Sequence, residues 1–366
     1  MGAMDELINP ATLRSLTTSL QAAAPEFTPT HLRRATRQLD GLKLRARTDL
    51  VAAALLADLP ADYRTVAAIY RRALRETAFA GWMIWPVSET VTTLALAAGL
   101  DEAFDDGLRL LSQLTPRLTS EFAIRRFLAA DLDRALAVIT GWTADPNPAV
   151  RRLASEGTRS FLPWAIRVRP LLEHPTSTVP IINALYRDDD EVVRRSVANH
   201  LNDLSRQSPD LVVDVATSWL ADPAPTTRQL VRHGLRSLIK QGHSGALALM
   251  GFGQTAIEVG EVDLDRTTVM APGELSFGFT VSNGDTAPVT LAIDYVVDYL
   301  KSNGGHREKV FKLATKTLGP GEQVRLTKKH AFRPMTTRVH YAGEHHLELQ
   351  INGQRYPGAS FRLDLE

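Results

Sequence analysis

From about residue 10 to residue 250 the apolar positions recur at helical spacing, and no stretch alternates with a period of two. Breaks such as LADLPADY (56–63) and LEHPTSTVP (172–180) punctuate this region, and Pro60, Pro146, Pro175 and Pro223 stand where helices are expected to start or stop. Past residue 252 the pattern changes. GELSFGFTVSNG (273–284) alternates through Leu275, Phe277, Phe279 and Val281 and then turns at Asn283–Gly284. VTLAIDYVVDYL (289–300) and HLELQINGQ (346–354) alternate too, the latter ending in the hairpin signal Asn352–Gly353. The GPG at 319–321 marks another turn. The pattern predicts an all-α domain over residues 1–252 and an all-β domain over 253–366. About seven short strands in so short a segment suggest an immunoglobulin-like sandwich.

The helical half repeats itself. DPNPAVRRLASEG begins at 145, DDDEVVRRSVANH at 188 and DPAPTTRQLVRHG at 222, so the starts lie 43 and 34 residues apart. Those periods suit two-helix solenoid repeats, and the aspartate followed by Val-Arg-Arg resembles the second helix of a HEAT repeat. Such helix pairs bury their apolar faces only by stacking, which yields a shared core and a concave surface. About five or six pairs are expected.

A length of 366 residues fits two domains better than one core. The absence of cysteine excludes disulfides, thiolate metal sites and cysteine nucleophiles, and fits a reducing compartment such as the cytoplasm. The N-terminus lacks the basic and apolar regions of a secretory signal, and no run of 18 apolar residues predicts a membrane span. The ten histidines show no HExxH spacing, and neither GxxxxGK[ST] nor GxSxG occurs, so no metal and no cofactor are expected. His345–His346 reads as a strand end.

The net charge of +1 conceals an uneven distribution. Residues 301–340 hold Lys301, Arg307, Lys309, Lys312, Lys316, Arg325, Lys328, Lys329, Arg333 and Arg338 against Glu308 and Glu322. Lysine at sheet edges guards against aggregation. The clustering of cations among aromatics and histidines in LTKKHAFRPMTTRVHY (326–341) favours a phosphate-binding face instead. A second basic run, Arg33, Arg34, Arg37, Lys43, Arg45 and Arg47, reads either as a solvated face or as a guide for a polyanion.

Three helical constellations carry candidate chemistry. In LASEGTRSFLPWA (153–165) the spacing of Val150, Leu153, Ala154 and Gly157 predicts a buried face, and Arg152 and Glu156 form an i,i+4 pair before a glycine cap. Trp164 is costly on a surface unless packed or used, and Pro163 fixes its approach. In SVANHLNDLS (196–205) Asn199 and Asp203 lie one turn apart, with Arg195 a turn earlier, and Glu156 and Asn199 occupy equivalent repeat positions. Neighbouring helices pack about 8–10 Å apart, so Glu156 and Asp203 are expected to face one small ligand. In LTSEFAIRRFL (118–128) Thr119 or Ser120 is expected to cap a helix, with Glu121 in its first turn and paired with Arg125.

These segments resemble the AlkC-type DNA glycosylases, relatives of the AlkD-type HEAT-repeat enzymes. The resemblance runs through GLKLRARTDLVAAAL (41–55), LTSEFAIRRFL, SEGTRSFLPWA, RRSVANHLNDLS (194–205), IDYVVDYLKSNG (293–304), KVFKL (309–313) and KHAFRPMTTRVHY (329–341). The chain departs from the family's usual proline at Arg126 and Ser160. The resemblance implies a monofunctional glycosylase. It would excise cationic alkylated bases, N3-methyladenine and N3-methylcytosine, from duplex DNA without full base flipping, as a cytoplasmic, nucleoid-associated bacterial monomer. Carried over by position, Glu121, Glu156 and Asp203 are the site carboxylates, Trp164 is the aromatic wall, and Arg159 contacts the backbone near the lesion. Arg152, Arg194 and Arg195, with Lys328, Lys329, Arg333 and Arg338 in the sandwich, are the further cations expected to grip phosphates. Two other readings compete: a non-catalytic HEAT-repeat binder of bent or branched DNA, and a protein–protein scaffold.

Overall fold

The computed structural model describes residues 4–253, 255–335 and 339–365. Arg338, one of the expected phosphate contacts, lies outside them. The chain divides into two compact units, Met1–Gly234 and Leu235–Glu366.

The first unit is all helical, with fourteen α-helices among the described residues. That exceeds the ten or twelve of five or six pairs, partly because a single residue can break a helix. Asp131 ends Ile124–Ala130 and caps Leu132–Gly141, its side chain accepting from Arg134 N.

The sequence repeat is written into the packing. Its three repeated segments form the helices Pro148–Gly157, Glu191–Leu204 and Thr227–Gly234, each lying against the next, with Val-Arg-Arg in the first two. Asn147 and Asp190 cap the first two. The first arginine of each of these two then ties down its own repeat's entry. Arg151 donates to the carbonyls of Asp145 and Pro146, and Arg194 to those of Asp188 and Asp189. Arg151 also holds Asp188 of the next repeat through Nε at 2.6 Å and Nη2 at 2.9 Å. Val150, Leu153 and Ala154 are buried as the spacing predicts. Gly157 is not the αL cap expected of it. It is the last helical residue, and a Cβ there would stand 2.1 Å from Ile124 Cδ1. Close helix approach, not a positive φ, requires the glycine.

The second unit is a two-sheet sandwich with nine strands among the described residues: β1 (Ile257–Val259), β2 (Asp263–Leu264), β3 (Thr268–Ala271), β4 (Gly273–Asn283), β5 (Val289–Leu300), β6 (His306–Leu318), β7 (Gln323–Phe332), β8 (Gly343–Ile351) and β9 (Gln354–Leu365). One sheet runs β1-β4-β2 with β7 paired to β4, and the other runs β3-β9-β8-β5-β6. Alternation supplies the core, in which Leu275, Phe277, Phe279 and Val281 of β4 meet Leu291, Ile293 and Val297 of β5 and Leu347 and Leu349 of β8. Asn352 (φ 45°) and Gly353 (φ 81°) form the tight β8–β9 turn. The short helices Arg236–Gln241 and Ser244–Leu249 belong to this unit, where Gln350 Nε2 donates to Lys240 O at 3.2 Å.

Candidate active site

Glu156 sits in the last turn of Pro148–Gly157, 7% exposed. Beyond the helix, Thr158 donates back to Ala154 O at 2.6 Å, and this closure folds Arg159 toward the turn it has just left. Arg159 Nη1 then donates to Glu156 Oε1 at 2.5 Å and Nε to Asp203 Oδ2 at 2.9 Å. Asp203 lies in the last turn of the neighbouring helix Glu191–Leu204. All three side chains are buried, an arrangement that holds only because each charge is compensated. Burial alone would pull the Arg159 guanidinium down. The bond to Asp203 and the charge of Glu156 outweigh it and leave the group above its ordinary value. Arg159 therefore directs these donors at carboxylates rather than outward at a phosphate.

The other oxygen of Glu156 accepts from Ser196 Oγ at 2.7 Å, and Ser196 also lies 3.1 Å from Ser155 Oγ. Beneath them, His200 is fully buried between Ser155 O and Thr178 Oγ1, each 3.0 Å away. Burial, and then the positive charge of Arg159, lower its pKa to about 3, so at neutral pH it is an uncharged bridge.

Glu121 lies in the turn before helix Ile124–Ala130 and not within a first helical turn, and that helix begins without a side-chain cap. Its Oε2 accepts from Arg152 Nη1 at 2.9 Å and from Thr119 Oγ1 at 3.1 Å. The expected partner, Arg125, points elsewhere and donates to the carbonyls of Gly157, Arg159 and Ile166. Arg152 also reaches Glu156 Oε1, at 3.8 Å. Two guanidinium groups, Arg152 and Arg159, are thus divided among three carboxylates.

Glu121, Glu156 and Arg159 open onto a cavity of about 270 Å³ whose other walls include Trp82, Trp85, Phe122, Pro163 and Trp164. Asp203 is absent from this lining and acts on it only through Arg159. Trp85 stacks on Phe122 with centroids 4.7 Å apart, and Trp82 lies 6.2 Å from Trp85. Trp164 stands at the rim, 71% exposed, with a left-handed backbone (φ 62°). The aromatic side of the cavity formed by Trp82, Trp85 and Phe122 did not emerge from the sequence. Its only signal was the paired tryptophans of GWMIW (81–85), whose spacing equally suits a helix core. The cavity joins anionic groups to π faces, both of which attract a planar cation.

The expected phosphate contacts separate into groups. Arg195 is exposed, whereas Arg194 is engaged by its own repeat's carbonyls. Lys328 and Lys329 do not share a face, since adjacent strand residues point to opposite sides. Lys328 pairs in register with Phe277 on the core-facing side and is half-buried, while Lys329 pairs with Ser276 and is exposed. Arg333 is exposed and lies 3.6 Å from Glu274.

Comparisons with known proteins agree across the whole chain. The DNA alkylation repair enzyme family matches residues 16–232, and the family described as Uncharacterised protein YhaZ, C-terminal Ig-like domain matches residues 258–365. The Bacillus subtilis (strain 168) protein named Uncharacterized protein YhaZ is 31% identical over 99% of this chain and all of its own length. The solved structure of Pseudomonas fluorescens alkylpurine DNA glycosylase AlkC, bound to DNA containing an abasic site analog, superposes with a TM-score of 0.84. It is 34% identical over 99% of this chain and all of that one. The helical unit followed by an immunoglobulin-like sandwich is the architecture of that structure. The chain belongs to the DNA alkylation repair enzyme family, and within it to the AlkC-type DNA glycosylases.

Proposed function

We propose that this protein excises cationic alkylated bases, N3-methyladenine and N3-methylcytosine, from duplex DNA by hydrolysing the N-glycosidic bond. The observation that carries this reading is the cavity in which Glu121 and Glu156 face Trp82, Phe122 and Trp164. Carboxylates on a surface that meets phosphates repel the ligand unless a cation is what they recognise. A methylated base brings that cation. Trp164 adds cation–π attraction, worth about 0.5–2 kcal/mol.

The chemistry asks little of a proton donor. The methylated base already carries positive charge, so when the bond from its nitrogen to C1′ breaks, the bonding pair neutralises the leaving group. An oxocarbenium-like sugar is left behind. Glu121 and Glu156 stabilise that developing charge, and a water attacking C1′ gives up its proton to a carboxylate. Fixing Glu156 with Arg159 and Ser196 removes the reorganisation that a mobile carboxylate would require. Lysine is absent from the described lining, which supports hydrolysis over a Schiff-base route and hence a monofunctional enzyme. The exposure of Trp164 supports recognition at the duplex surface, without extruding the base.

Arg152 and Arg195 from the helical unit and Lys329 and Arg333 from the sandwich are the proposed phosphate contacts, acting in a monomer in the cytoplasm. The test is release of N3-methyladenine and N3-methylcytosine from methylated duplex DNA, with strand cleavage only after added alkali. Tight, structure-specific DNA binding with no base release would instead favour the non-catalytic reading.

A further inference from the structure

Arg125 is fully buried in helix Ile124–Ala130, and among the described residues its guanidinium makes no ion pair. It spends its donors on backbone. Nη1 donates to Gly157 O at 3.0 Å and to Arg159 O at 2.8 Å, and Nε donates to Ile166 O at 2.8 Å. These carbonyls stand at the two ends of one connecting segment, between helices Pro148–Gly157 and Arg169–Glu173. That segment carries both Arg159 and Trp164.

Trp164 needs such a tie. Its indole is 71% exposed, so core packing does not hold it, and its φ of 62° is one that bulky L-residues adopt only under constraint. Within the segment, Arg167 Nη1 donates to Leu162 O at 2.9 Å, which shapes the turn but does not anchor it to another element. Arg159 Nε anchors the start of the segment to Asp203 on helix Glu191–Leu204, and Arg125 is the tie that reaches both of its ends. Its planar fork reaches carbonyls at both ends, which the single ammonium of lysine cannot do. Nη2 is buried without a hydrogen-bond partner, so the position tolerates an orphan donor in order to seat the rest of the group. Burial, reinforced by nearby Arg167, lowers its pKa to about 10, and the group stays protonated at neutral pH.

We propose that Arg125 is a positioning residue for Trp164: its guanidinium ties both ends of the 158–166 segment so that the indole stays at the rim of the carboxylate cavity. The inference rests on the glycosylase reading for its kinetic consequence, but not for its structural one.

Two measurements on the full chain test it. In single-turnover excision of N3-methyladenine, run where circular dichroism shows every variant folded, Arg125→Gln is expected to slow release by about 2- to 30-fold, no more than Trp164→Ala itself loses. In a Trp164→Ala background the same change should add almost nothing, because residues acting as a unit are non-additive. Equal losses in both backgrounds would overturn the proposal. The second readout needs no catalysis. In protein labelled with 5-fluorotryptophan, the fluorine line assigned through Trp164→Phe should shift and broaden in Arg125→Gln, while the lines of Trp142 and Trp219 stay in place. An unmoved Trp164 line, or movement spread over all tryptophans, would overturn it even if no alkylated base were ever released. Should Arg125→Gln fail to fold, Arg125→Lys carries both measurements with the same outcomes expected.

Discussion

The hydroxyl of Ser196 donates to Glu156 Oε2 at 2.7 Å, so a carboxylate on one repeat helix is aimed by a side chain of the next. The orientation of Glu156 is therefore a property of helix stacking. Removing the hydroxyl leaves a buried charged oxygen one donor short, at a cost of about 1.5–3 kcal/mol for a bond to a charged group. Ser196→Ala is expected to lower the single-turnover excision constant by about tenfold while DNA affinity stays put. Single-turnover kinetics and a binding titration on undamaged duplex check the split.

Arg159 links Glu156 and Asp203, and its loss should register first as instability. Arg159→Met leaves two buried carboxylates facing one another without their shared cation. Breaking a buried ion pair from one side typically costs about 3–5 kcal/mol, which urea denaturation would show as a lower midpoint. Arg159→Met combined with Asp203→Asn should recover part of that loss, because the uncompensated charge is gone.

Trp164 is expected to behave oppositely. With an exposed indole it contributes little to the core, so Trp164→Ala should leave the thermal midpoint nearly unchanged. Its excision of N3-methyladenine should fall by an amount worth about 0.5–2 kcal/mol, the range of a cation–π contact. Comparing a cationic with a neutral damaged base checks the origin. The loss should be confined to the cation.

Lys329 and Lys328 separate the two uses of charge in the sandwich. Lys329→Glu should flatten the log–log salt dependence of DNA binding by about 0.9, the value for one phosphate contact. Lys328→Glu, on the core-facing side beside Phe277, should lower sandwich stability instead. Titrations at several salt concentrations, with thermal denaturation alongside, distinguish them.

Acid should weaken the helical unit through His200. Its folded pKa of about 3 lies below the ordinary histidine value of 6.5, so the unfolded chain binds the extra proton. This group's contribution is present in full above pH 6.5 and is lost as pH falls toward 3, at up to about 1.4 kcal/mol per pH unit. Urea midpoints of wild type and His200→Gln over that range should show a steeper decline for wild type.

Much of this architecture was legible in the chain because it is periodic. Helical spacing up to residue 250, alternation after 252 and the recurring Val-Arg-Arg motif each follow from burying one face of an element. The site was legible in its members and not in its wiring. Glu121, Glu156, Arg159 and Trp164 converge on one cavity, yet Arg152 serves Glu121 more closely than Glu156, and Arg125 serves backbone carbonyls rather than Glu121. Spacing along one helix cannot say which arginine crosses to a neighbouring element. Ser196 was invisible for the same reason, since its partner lies 40 residues away. Lys328 and Lys329 looked like one patch because charge counting ignores strand alternation.

On the proposed mechanism, Glu156, with Asp203 behind Arg159, supports cleavage of the bond to a cationic base. This is tested most directly by measuring release of free N3-methyladenine from methylated duplex DNA by wild type and by Glu156→Gln combined with Asp203→Asn, both verified as folded. Release by wild type is expected, with a loss of about 100-fold or more in the double variant and DNA binding retained. No release by wild type, or release by the variant at the wild-type rate, would contradict it.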